Sequence, residues 1–356
     1  MGKTIIITAH TVSNLHLCDK ILFMGKEGKV CYYGSYEEIL HYFKVKEFVD
    51  IYDLLKDDTD SWYLKYRENE SQMLIDKTCT KEKRKQAGFV SQVSTLVKRY
   101  ISSLINNKFM LILLLGQAIM MGFLICLATE KNCLSNSVTA SMIFVAFTLA
   151  AVWLGLFNTI QEIVKEKDML KKEYMSGLKF TSYMVSKIII FSILCLYQSI
   201  ACVSIVYFHL NPRPDTVLVT NTLVDLIINF FLVSFSTSMI GIFISSFVKD
   251  TKTTLILSPL YMMIQMLFSG MFIPFIEFTK NISYFVIARW GYENFGTISN
   301  LKQYQVTEPS KDFFLFQSSH VLNIWFIFIV ILALFLIASI VTIKLNILKQ
   351  DRNYLK

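Results

Sequence analysis

Six stretches of this chain run for 20 residues or more without a charged side chain: Phe109 to Ala128, Val138 to Ile160, Ile188 to Phe208, Leu226 to Val248, Thr253 to Ile276 and Val321 to Ile343. A helix of about 20 residues crosses a hydrocarbon core of about 30 Å. Lipid offers the backbone no hydrogen-bond partner, so only helices and closed barrels can span it, and continuous apolar runs of this length select helices. Composition agrees, with 17% charged residues against about 25% in soluble domains. The expected fold is an α-helical polytopic membrane protein with six transmembrane helices, preceded by a small α/β piece.

Between the second and third runs lies a charged island, Gln161 to Phe180, QEIVKEKDMLKKEYMSGLKF, with five Lys and four Asp or Glu. Flanked by two spans, it must lie at a membrane surface, and its Lys excess assigns that surface to the cytoplasm. Its EKDMLKKE core consists of good helix formers, with Glu166 and Leu170, then Asp168 and Lys172, at i,i+4. A short cytoplasmic helix is expected, a solvated charged loop being the alternative. Alternating the spans from a cytoplasmic start places the island, the Lys249 to Lys252 turn and the basic tail KLNILKQDRNYLK inside, so both termini are expected in the cytoplasm.

The net charge of +8 does not indicate nucleic acid, because the lysines cluster beside apolar spans rather than forming a stripe with interleaved aromatics; membrane lipid headgroups account for them. The seven cysteines show no CxxC and no repeated spacing, which excludes a zinc site or disulfide frame by pattern, and no metal ligand set is expected. MGKTIIITAH lacks the apolar core of a signal peptide. Ser91 to Ile105 places Val93, Leu96, Val97, Tyr100, Ile101, Leu104 and Ile105 on one helical face, the pattern of an interfacial helix ahead of the first span. Glu277 to His320 is too long for a turn, and its apolar stretch ISYFVIARWGYENF is broken by Arg289 and Glu293. A re-entrant or interfacial element on the outer face is expected, where Asn281-Ile282-Ser283 fits a glycosylation sequon.

The first 66 residues read differently. Lys3 to Thr8 is a β-branched run ending at Ala9-His10-Thr11, followed by a helix-like stretch to Cys18, a β-hairpin pattern in KILFMGKEGKVCYYGS, and a helix opening at Ser35 with Glu38 at the capping-box position. Strand, His, short helix, Cys-Asp and Gly hairpin resemble the C-terminal end of an ATP-binding cassette nucleotide domain. The resemblance implies that His10 is the switch histidine, reaching the γ-phosphate and holding the attacking water. The phosphate-binding GxxxxGK[ST] loop, the LSGGQ-like signature and the Mg²⁺-holding Asp-Glu pair are absent, so ATP and Mg²⁺ are expected only if a missing nucleotide-binding part is supplied, and the chain reads as N-terminally truncated. On this reading residues 1–66 are a nucleotide-domain remnant, 67–90 a charged linker and 91–356 a membrane domain.

From Ser91 onward the chain resembles the ABC-2 type membrane domain of white, or G-subfamily, half-transporters. The resemblance is carried by Glu166-Lys167, Lys172-Glu173-Tyr174 and Ser176-Gly177 in the island, by FSGMFIP, and by WGYENF, whose usual preceding Ser-Pro is here Ile287-Ala288. It implies that the island is a coupling helix, with Glu166, Lys172 and Glu173 as its polar contacts to a nucleotide domain, tilting spans two and five. It also implies a homo- or heterodimer of half-transporters. The substrate cavity would then lie near Phe144, Phe147 and Asn158 of span two and Tyr261, Met262, Gln265 and Met266 of span five. The expected function is the membrane half of an ATP-driven exporter of an amphipathic or lipid-like substrate. A non-hydrolysing regulatory or relic protein that dimerises with intact half-transporters is the alternative, and a passive channel comes third because no span carries a polar stripe.

Overall fold

The computed structural model describes residues 6–8, 15–45, 47–70, 87–130, 137–210, 217–218, 221–273, 275–301 and 313–354. These fall into two compact units divided after Arg84. In the first unit, β1 (Ile21–Met24) and β2 (Val30–Gly34) form an antiparallel hairpin in which Ile21 faces Gly34. Its turn needs positive φ at Glu27 and Gly28, and a glycine meets the second requirement without strain. Helices α1 (Tyr36–Phe43), α2 (Phe48–Asp57) and α3 (Thr59–Glu70) follow. Ser35 holds the N-cap position of α1, but its side chain makes no cap bond.

The segment from Asp50 to Trp62, acidic in sequence, completes the core of this unit. Ile51 and Leu55 are buried with Ile21, Phe23, Cys31, Ile39 and Phe43, and the Trp62 ring lies 4.9 Å from that of Phe43. The expected strand from Lys3 to Thr8 lies largely outside the described residues, and His10 lies wholly outside them.

The second unit is a helical bundle. Helix α4 (Phe89–Asn106) buries Val93 and Leu96 and breaks at Asn107, whose side chain caps α5 (Lys108–Leu127) by accepting from Met110 N at 3.2 Å. Next come α6 (Ser137–Thr159), the island helix α7 (Glu162–Met175), α8 (Phe180–Leu210), α9 (Thr222–Phe247) and α10 (Thr251–Leu267). Short α11 (Glu277–Ser283) and α12 (Ile287–Ile298) precede α13 (Ser318–Tyr354). Helix α9 is the hub, packed on α6, α8, α12 and α13. Among the described residues five helices are long and apolar enough to cross a membrane: α5, α6 with its continuation, α8, α9 and α13.

The run expected as a fifth span, Thr253 to Ile276, is a shorter element. Helix α10 has 17 residues, about 26 Å, and stops at Leu267. The chain then turns through Gly270 at φ 96, a conformation open to glycine and costly for other residues. Asp250 opens this helix. The Thr253 backbone N–H and hydroxyl both donate to its carboxylate and hold it below the usual carboxylate range.

Two helices start earlier than hydropathy indicates and so bring charges into the bundle: α8 contains Lys187 and α9 contains Asp225, both buried. The aromatic stretch with Arg289 and Glu293 becomes α12, buried along nearly its whole length against α6, α9, α10 and α13. Helix α12 is thus an element buried in protein, where such backbone and charge are tolerated.

Candidate functional site

Helix α7 closes one end of the bundle, between α6 and α8. Its first N–H groups have no partner inside the helix. A single hydroxyl on α9 satisfies two of them: Ser245 Oγ accepts from Ile163 N at 3.0 Å and Val164 N at 3.1 Å. The other end is a Schellman motif. Leu178 N donates to Glu173 O and Gly177 N to Tyr174 O, both at 3.0 Å, with Gly177 at φ 102. Gly177→Val is expected to lower stability by about 1–2 kcal/mol, because a β-branched residue is strained at that φ. Thermal unfolding of the purified protein measures it, and an unchanged midpoint would contradict the assignment.

The inner face of α7 is electrostatic. Lys187 of α8, with 3% of its side chain exposed, lies 3.0 Å from Glu162 Oε2 and 2.9 Å from Glu166 Oε1. Tyr183 donates to Glu166 Oε2 at 2.6 Å, and the Lys187 ammonium sits 4.3 Å from the centroid of the Tyr100 ring on α4. Burial, and after it the Glu162 and Glu166 carboxylates, push the Tyr100 phenol well up. Further along, Arg99 of α4 pairs with Glu173, while Gln92 donates to Gly177 O at 3.2 Å and accepts from Lys179 N at 3.1 Å. Helix α7 is thereby tied to α4, α8 and α9.

Glu166 and Glu173 face partners within the chain, because each meets a cation brought to it by a neighbouring helix; Lys172 is exposed. The face α7 leaves to solvent is a stripe at helical spacing, Lys165, Asp168, Met169, Lys172 and Met175, with Met169 41% and Met175 66% exposed.

A groove of about 660 Å³ opens between α5, α6 and α10. Met121, Trp153, Pro259, Met262, Met263 and Met266 are among its lining residues. Of the residues expected around a cavity, Met262 and Met266 line it. Phe144 and Phe147 are instead buried in the core, with the Phe147 ring 5.1 Å from Phe230 and 5.0 Å from Phe295.

Asn158 is consumed by an amide cluster. It donates to Gln198 Oε1 at 2.7 Å and accepts from Gln117 Nε2 at 2.9 Å, joining α6 to α8 and α5. Gln265 accepts from Ala288 N at 2.9 Å, capping the start of α12, and Tyr261 packs partly buried on the same core. Among the described residues no group of three His, Cys, Asp or Glu side chains could hold a metal ion.

Sequence reasoning missed Lys187, Ser245 and Gln92. Lys187 had a readable signal: a lone lysine on the edge of an apolar run, four residues after a tyrosine.

The comparisons with known proteins bear on this bundle. Residues 91–298 match the family model described as ABC-2 type transporter. The chain is also 21% identical over 305 residues to the ABC transporter ATP-binding/permease protein Rv1747 of Mycobacterium tuberculosis. That alignment takes in 82% of this chain and 35% of the relative, so the chain spans about a third of the length of the curated relative it matches. The chain is an integral, multi-pass membrane protein, and its apolar helices together with a family match over more than half its length place it in the ABC-2 type transporter family.

Proposed function

We propose that this chain is the membrane-spanning half of an ATP-driven exporter of the G subfamily, with α7 as the helix that receives the motion of a nucleotide-binding domain. The observation that carries the proposal is the two-sidedness of α7. Its inner carboxylates are bound within the bundle, while Lys165, Asp168, Met169, Lys172 and Met175 form an outward stripe of charge around two thioethers. Such a surface suits a protein partner, since methionine adapts its shape and the charges set register.

The Lys-rich α7 and the Lys249 and Lys252 turn lie on the cytoplasmic side on this reading, together with both termini. ATP and Mg²⁺ act on the nucleotide-binding domain, and the matched relative, named as ATP-binding and permease in one protein, supports the pairing. Helix α10 serves as the sixth membrane helix, and two copies, or this chain and another half-transporter, enclose the pathway. The Met-rich groove of α5, α6 and α10 then faces an amphipathic or lipid-like substrate.

The test is Met169→Glu in the assembled transporter reconstituted in vesicles. The stripe residue is exposed, so the bundle should fold unchanged, while ATP-dependent transport falls at least about tenfold as a buried interface charge costs more than about 1.4 kcal/mol. Wild-type transport by the variant would remove α7 as the docking surface.

A further inference from the structure

At the end of the bundle opposite α7, two buried charged side chains meet a partly exposed histidine, whose side chain is 21% exposed. Helix α12 contributes Arg289 and Glu293, each with 5% of its side chain exposed, and the first turn of α13 contributes His320. The Arg289 guanidinium is stacked among rings, 4.0 Å from the centroid of Tyr284 and 4.3 Å from that of Trp290.

Glu293 is under-bonded for a buried carboxylate. Its Oε2 lies 3.7 Å from Arg289 Nη2, too far for a hydrogen bond, and its Oε1 lies 3.1 Å from His320 Nε2 without hydrogen-bond alignment. Among the described residues Arg289 Nε and Nη1, Glu293 Oε2 and His320 Nε2 have no hydrogen-bond partner. A neutral imidazole therefore leaves the cluster short of good bonds, and a small movement would supply one.

We propose that His320 is a proton-operated latch that holds α12 against α13. Histidine is the side chain whose charge ordinarily changes between pH 5 and 8. Charged His320 forms an ion-paired hydrogen bond to Glu293 across the α12 and α13 contact; neutral His320 releases it. The other titratable groups on elements packed against α12 are Asp225 of α9, Lys252 and Tyr261 of α10, Tyr292 of α12 itself, and Lys344, Lys349, Asp351, Arg352 and Tyr354 toward the far end of α13; α6 brings none. The latch is set by the cluster's geometry alone. Only its exposure to the outer compartment rests on the orientation proposed above.

The experiment is hydrogen exchange of the full chain in nanodiscs between pH 5.5 and 8.5, corrected for the intrinsic pH dependence of exchange. Both faces meet the same pH there, so the result does not depend on orientation or on transport. Protection of residues 287–298 should rise roughly five- to tenfold at the acid end, the ratio by which a charge-assisted hydrogen bond outweighs a neutral one. His320→Gln keeps a neutral donor and should fold normally with flat protection; Glu293→Gln should flatten it as well. A wild-type profile without pH dependence would overturn the latch, and so would a His320→Gln profile that keeps the wild-type slope.

Discussion

Lys187→Met should leave most of the protein unable to reach or hold its folded state. The substitution conserves length and apolar stem but removes the positive charge that, among the described residues, contacts Glu162 and Glu166, whose side chains are 14% and 20% exposed. Removing one partner of a buried pair typically costs about 3–5 kcal/mol, because the remaining charge cannot be rehydrated where it stands. Two carboxylates share one ammonium here, so the stranded pair also repels itself. A domain's total stability is about 5–15 kcal/mol, and a loss of this size removes a large part of it.

The loss is read as the fraction of monodisperse protein after extraction and as the thermal midpoint of what survives. Lys187→Arg keeps the charge and should recover part of the stability, the planar guanidinium fitting the two carboxylates and the Tyr100 ring less well. The triple variant Lys187→Met, Glu162→Gln, Glu166→Gln separates stranded charge from lost packing: it should be more stable than Lys187→Met alone. If all three proteins behave like wild type, the buried cluster contributes nothing to the fold.

Gly155→Val is the second large effect expected, through backbone contact rather than charge. Where α6 crosses α9, a Cβ on Gly155 would collide with the Ser234 carbonyl oxygen, and one on Gly241 would collide with the Thr159 hydroxyl. Close approach of small residues is how membrane helices associate, because lipid supplies no hydrophobic drive between them. The contact is reinforced by Ser238 donating to Gly155 O at 3.0 Å and Thr159 donating to Ser238 O at 2.8 Å.

A valine there would have to push apart two backbones, costing about 3 kcal/mol or more and breaking those bonds. Gly116→Ala on α5, where an added Cβ meets nothing within 4 Å, is the control, and it should be neutral or gain up to about 1 kcal/mol from helix propensity. Equal yields of folded protein for Gly155→Val and Gly116→Ala would remove the α6 and α9 crossing from the account.

The same physics separates what was readable in the chain from what was not. Hydropathy sums local preference for lipid over water, and the long apolar runs therefore located the membrane helices without any knowledge of their neighbours. The island's helix was likewise a local property of consecutive residues. Helix ends were less legible. Lys187 and Asp225 each sit one residue outside an apolar run, yet inside a helix, and the charge of Lys187 is compensated there by Glu162 and Glu166.

The direction in which polar groups face was not legible at all. Glu166 and Glu173, read as outward contacts, are engaged by Lys187 and by Arg99, the latter 74 positions away; Asn158, read as a cavity residue, is satisfied by Gln198 on α8 and Gln117 on α5. The sequence by itself determined that the chain crosses a membrane as helices and carries a charged helix at its surface, because those outcomes depend on residues close together along the chain. Only the tertiary structure decided which face of that helix is free, that α12 is buried with its Arg and Glu, and that α10 stops short. The first two depend on contacts between distant residues, whose energy exists only once the helices have met; α10 ends just before the turn at Gly270.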